Sequence, residues 1–138
     1  MPIIIDGWNL IRDEDSHIND DDTDSLEAAE KLVSYLDEFQ HTHNDPIVIV
    51  FDSTHEYLDF DYENTPKLTV VPSRNADAYI KRYIDSVPER QRRNVRVVSS
   101  DNEVYYYAKS SYATAVRSGE FWAKMRGHTG RRRKKSDW

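Results

Sequence analysis

Four short, almost wholly apolar runs, set apart by helix-like or polar stretches, constrain this chain more than any other feature. They are Ile3-Ile4-Ile5, Ile47-Val48-Ile49-Val50-Phe51, Leu68-Thr69-Val70-Val71 and Val95-Arg96-Val97-Val98. Runs this short and this rich in β-branched residues read as strands buried on both faces. Between them, Leu26, Ala29, Val33, Leu36 and Phe39 recur at helical spacing, as do Ala76, Tyr79, Ile80, Tyr83 and Ile84. Asp24-Ser25-Leu26-Glu27 resembles a capping box at the start of the first stripe, Asn44-Asp45-Pro46 stops it, and Pro88 bounds the second. A third helix is expected over residues 102–110, a short fifth strand over 113–116 and a small closing helix over 119–125. Residues 12–23 look too charged to pack, 56–66 read as loop and 89–94 as a basic turn. Strands alternating with helices predict an α/β fold, a central mainly parallel sheet covered on both faces.

A chain of 138 residues has room for one domain with one core. We place that domain at residues 1–125 and treat 126–138 as a basic C-terminal tail. Without cysteine, neither disulfides nor thiolate zinc sites can form. No apolar run approaches the roughly 20 residues that span a bilayer, and no secretory leader is visible, so a cytoplasmic location is the expectation. The net charge of −6 hides a division. Residues 1–65 carry two basic side chains against 18 acidic ones, a net −16, whereas residues 66–138 carry a net +10. Lys124, Arg126, Arg131, Arg132, Arg133, Lys134 and Lys135 form the densest basic run, with no acid until Asp137. It could grip phosphates without reading sequence, or be a solvated tail.

Acids cluster where a parallel sheet binds its ligands, outside the carboxyl ends of the strands. Asp6 follows the three isoleucines, Asp52 follows Phe51, Asp77 lies in the first turn of the helix after the third strand, and Asp101 follows Ser99-Ser100. Each has an ordinary explanation: a turn for Asp6, a strand end for Asp52, a helix-surface ladder with Lys81 for Asp77 and an N-cap for Asp101. One divalent cation explains all four together, because gathered carboxylates repel one another unless a cation holds them. Oxygen ligands of this kind suit Mg²⁺ or Mn²⁺ and predict metal-assisted attack on a phosphodiester. Gly7 would let the chain turn sharply after Asp6, and Asn9 and Ser100 would orient ligands. Trp8, beside Asp6, is the expected base-stacking side chain, and Arg74, ahead of the Asp77 helix with its free amides, the expected phosphate contact. Tyr105, Tyr106 and Tyr107 cannot all face a core from one helix, so at least one should be exposed, open either to a base or merely to water. The missing P-loop glycines and the single acid at the first strand end argue against nucleotide phosphoryl transfer and receiver-type switches.

Together these motifs resemble the YacP-like branch of the NYN domains, within the PIN-like nucleases. The matching pieces are Asp6-Gly7-Trp8-Asn9, Val50-Phe51-Asp52, Ala76-Asp77-Ala78-Tyr79-Ile80, Ser99-Ser100-Asp101 and Ser118-Gly119-Glu120-Phe121. The resemblance implies a PIN-like three-layer α/β/α fold and a divalent-metal endoribonuclease acting on RNA. It carries the metal-binding acids onto Asp6, Asp77 and Asp101, with Asn9 and Asp52 placed less securely. The RNA is expected to be single-stranded, and the ribosome is a candidate partner. Trp8 stands where the family usually has tyrosine. Ala78 stands where it commonly offers Glu, which opens a second reading as an RNA- or ribosome-binding module that has lost catalysis. The acids of residues 13–24 should repel RNA unless masked. They either pair with the basic tail or belong to a loop that stays clear of the site.

Overall fold

In the computed structural model, residues 1–18, 26–52 and 64–127 are described. The apolar runs form β1 (Ile3–Asp6), β2 (Ile47–Asp52), β3 (Leu68–Ser73) and β4 (Arg96–Val98), and β5 (Thr114–Val116) completes one sheet. All pairings are parallel, in the order β3-β2-β1-β4-β5. Side chains alternate across a strand, and β1 divides its isoleucines accordingly. Ile3 and Ile5 join a core with α1 (Gly7–Arg12), α2 (Leu26–Gln40) and α5 (Ser118–Gly127). Ile4 joins a second core with α3 (Ala76–Ser86) and α4 (Asn102–Ser110). The expected α/β/α layering is therefore present.

The strand order fixes where a ligand can sit. The chain moves outward from β1 through β2 to β3, then crosses back to place β4 on the other side of β1. Neighbouring connections diverge at the carboxyl ends of β1 and β4, and that divergence leaves a crevice. No run of apolar residues reveals this order.

Several local expectations need correction. Residues 7–12 are not an open turn: α1 begins directly after β1, with Trp8, Leu10 and Ile11 buried. Gly7 is required by close approach, since a Cβ there would lie 2.5 Å from the Phe51 ring. Ile18, inside the stretch expected to stay unpacked, is buried in the core. Leu26 is 36% exposed, and Ala28 and Leu32 join the buried face of α2 instead. The basic turn at Glu89–Asn94 is a 3₁₀ helix. Asp24 and Ser25 of the expected capping box, and most of the 56–66 loop, lie outside the described residues. Among the described residues, no helix is long and apolar enough to cross a membrane.

Candidate metal centre

Asp6 ends the central strand and is only 9% exposed. Its Oδ2 accepts a hydrogen bond from the Ser99 hydroxyl at 3.2 Å, and the same hydroxyl accepts from the Asp101 amide at 3.1 Å. One serine thus links the ends of β1 and β4. Burial pushes the Asp6 carboxyl up to about 6; the Ser99 hydrogen bond opposes that rise, and the charges of Asp77 and Asp101 add to it.

Asp77 and Asp101 arrive from opposite sides of the crevice at two helix starts. Asn75 caps α3, its side chain accepting from the Ala78 amide at 3.0 Å, which sets Asp77 in the first turn. That cap also takes up one of the amides expected to be free for phosphate. Asp101 caps α4, its Oδ1 accepting from the amides of Glu103 (2.9 Å) and Val104 (3.3 Å). The N-cap explanation of Asp101 is thus correct, but it occupies one carboxylate oxygen and does not engage Oδ2. Ligand atoms of Asp77, Asp101 and Glu103 all lie within 4.8 Å of one another. The Asp77 carboxyl is raised by its burial and then by the charges of Asp101 and Glu103; Lys81 opposes the shift and Asp52 adds to it. Lys81 itself forms an ion pair with Glu103 at 3.2 Å.

The geometry therefore gathers Asp77 and Asp101 with Glu103, sets buried Asp6 within electrostatic reach of Asp77 and Asp101, and brings Asp52 within reach of Asp77. Glu103 was not foreseen. Its signal was present, an acid two residues past a capping Asp in the first turn of a helix, but it reads equally well as an ordinary favourable helix-start charge.

Asn9 holds the cluster's supporting loops. Its Oδ1 accepts from the Ser100 amide at 2.6 Å and from the Ser118 hydroxyl at 2.8 Å, and Ser100 Oγ accepts from the Ser118 amide at 3.0 Å. Arg117 adds a clamp, donating to the Ser100 carbonyl (3.1 Å) and to Asn102 Oδ1 (3.0 Å) while its guanidinium lies 3.6 Å over the Tyr105 ring. Ser99, Ser118 and Arg117 were also missed, because their roles depend on which strands are neighbours.

Trp8 must be reassigned. It is 5% exposed, packs edge-on against Phe51 and donates its indole N–H to the Asp52 carbonyl at 2.6 Å. Its ring has no free face for a base. Arg74 is exposed one residue before the Asn75 cap, which leaves its expected phosphate contact untested. Asp13 and Asp15 lie beside Gly119 at the start of α5, and Arg126 donates to the Asp15 carbonyl at 3.4 Å. Arg131, Arg132, Arg133, Lys134 and Lys135 lie outside the described residues, as do the acids of residues 19–25.

This parallel α/β domain collects its acids at the switch point, and the family to which the chain belongs has a nuclease-type fold. The chain belongs to the YacP-like NYN domain family, whose model matches residues 3–137. Its fold is similar to the crystal structure of Rae1 (YacP) from Bacillus subtilis, with a TM-score of 0.70 at 16% sequence identity, covering 91% of this chain and 74% of that one. A tryptophan-to-leucine variant of that protein gives a TM-score of 0.67 at the same identity and coverage. At such identity the likeness is one of fold. No curated protein sequence matches the chain.

Proposed function

We propose that the protein is a divalent-metal-dependent endoribonuclease that hydrolyses phosphodiester bonds of single-stranded RNA. The observation that carries this reading is the meeting of Asp77, Asp101 and Glu103 within 4.8 Å beside buried Asp6. Four acids face one nearby lysine, and every donor is an oxygen. That set fits a hard divalent cation such as Mg²⁺ or Mn²⁺. Asp77, Asp101 and Glu103 would hold it, with Asp6 beneath and Asp52 assisting from the rim. When bound, the metal supplies charge stabilisation and lowers the pKa of water.

The chain's own residues do the rest. Ser99 fixes the Asp6 carboxylate, Asn9 and Arg117 hold the loop that carries Asp101, and exposed Arg74 would receive a phosphate flanking the α3 side. Burial and the neighbouring acids raise the Asp6 carboxyl to about 6 without metal, and a bound cation would favour its ionised form. If water is the attacking group, the products carry 5′-phosphates.

Ala78 is the observation that favours the second reading, an RNA- or ribosome-binding module without catalysis. Glu103 weakens that reading, since it supplies a third carboxylate to the cluster. Cleavage of several unstructured RNAs by purified protein with Mn²⁺ tests the choice. We expect cutting that EDTA abolishes and that Asp77→Asn and Asp101→Asn each lower at least about 100-fold, a loss of roughly 2.7 kcal/mol of transition-state stabilisation. Salt-sensitive RNA binding that survives EDTA, with no cutting by the parent protein, would establish the module instead.

A further inference from the structure

A shallow, open groove lies along α4 beside the acid cluster, and most of its lining takes no part in the metal site. Glu103, Tyr106, Tyr107, Lys109 and Ser110 line it from α4 and Lys81 from α3. Glu103 belongs to both the groove and the acid cluster, so the two are continuous. Residues three or four apart share a helix face, and Glu103, Tyr106 or Tyr107, and Ser110 follow that spacing. The α4 stretch from Glu103 to Ser110 is about 10 Å long.

The two tyrosines differ in what they can offer. Tyr107 is committed: its hydroxyl donates to Asp85 at 2.6 Å and Lys81 Nζ sits 5.4 Å over its ring. Tyr106 is 56% exposed. It stands edge-on to Tyr105 at 5.2 Å, and Tyr105 is in turn held under Arg117. Arg117 also lies 5.6 Å over the Tyr106 ring, and more than half of that residue is left in solvent. Lys109, one turn from Tyr105, lies 5.4 Å over that ring and is exposed. A stacking surface beside ammonium groups, leading out of an acidic cleft, suits an unpaired nucleotide chain better than a peptide, because bases need a flat partner and phosphates a cation.

We propose that this groove carries the RNA strand away from the cleavage site, with a base stacked on Tyr106 and an adjoining phosphate held by Lys109. The inference rests on the ribonuclease reading for the direction of the strand, but its test does not depend on cleavage. Binding of a fluorescently labelled single-stranded oligoribonucleotide to the full chain is measured in EDTA across a salt series. Tyr106→Ala weakens binding about 5- to 100-fold, whereas Tyr106→Trp keeps parental affinity. Lys109→Ala reduces the slope of log affinity against log salt by about 0.7, the share of one phosphate contact on a single strand. Mn²⁺ affinity, followed by calorimetry, is the same in both alanine variants as in the parent.

Unchanged RNA affinity and unchanged salt slope in both variants would overturn the groove assignment, even if the protein proves to be a nuclease. Weakened binding by Tyr106→Ala in a parent that binds RNA without cutting it would support the groove and overturn the ribonuclease reading.

Discussion

Asp6 is the residue on which the account of the acid cluster turns, and its burial has a thermodynamic consequence. Its carboxyl is raised in the folded state from 3.8 to about 6, chiefly by desolvation. A raised folded-state value means the native protein binds the proton more tightly than the unfolded chain. The stability this gives is fully present below 3.8 and is lost as pH rises through about 6. At neutral pH without metal, the ionised carboxylate therefore works against the fold, by an amount on the order of 3 kcal/mol. Asp6→Asn should raise the metal-free stability at pH 8 by up to about that much, with the advantage shrinking toward zero near pH 4. Urea unfolding of both proteins across pH would measure this. A constant difference at all pH values would contradict the burial argument.

The helices place the site by the way they begin and end. Asn75 and Asp101 are capping residues, and each cap sets an acid of the cluster in position. At its other end, α4 closes with the Ala113 amide bonded to the Ala108 carbonyl and the Tyr112 amide to the Lys109 carbonyl. That pattern requires a left-handed residue past the cap, usually glycine, and here it is Tyr112 at φ 71°. Tyr112 is 63% exposed, so little packing offsets the strain. Tyr112→Gly should stabilise the protein by about 0.5–1 kcal/mol, read as a higher urea midpoint with an unchanged slope. Strands β1 to β4 were legible as short, nearly unbroken apolar runs, and α2 and α3 because their apolar residues keep a helical period over several turns. Helix α1 was not: it spans six residues directly after a strand, and Asp6-Gly7-Trp8-Asn9 carries the same residues as a turn. Trp8 was misjudged for a related reason, since its place beside Asp6 in sequence said nothing of the Phe51 ring waiting across β2.

At the scale of the whole molecule, strand order does what no local pattern can. It sets the ends of β1 and β4 side by side, and a serine hydroxyl, an asparagine amide and an arginine then knit the loops there into one support. The aspartates at 6, 77 and 101 were legible as acids at strand or helix ends. Glu103, Ser99 and Ser118 were not, because their partners lie on elements distant in the chain. The fold, and not the division of charge along the sequence, gathers these acids, since Asp77, Asp101 and Glu103 all come from the net-basic half of the chain, and a cation would relieve their repulsion. The central claim is that Asp77, Asp101 and Glu103, over Asp6, share a divalent cation. Anomalous diffraction from Mn²⁺-soaked crystals tests it most directly. The account predicts a strong manganese peak bounded by the Asp77 and Asp101 carboxylates, whereas an ordered cleft in well-diffracting crystals with no manganese peak there would contradict it.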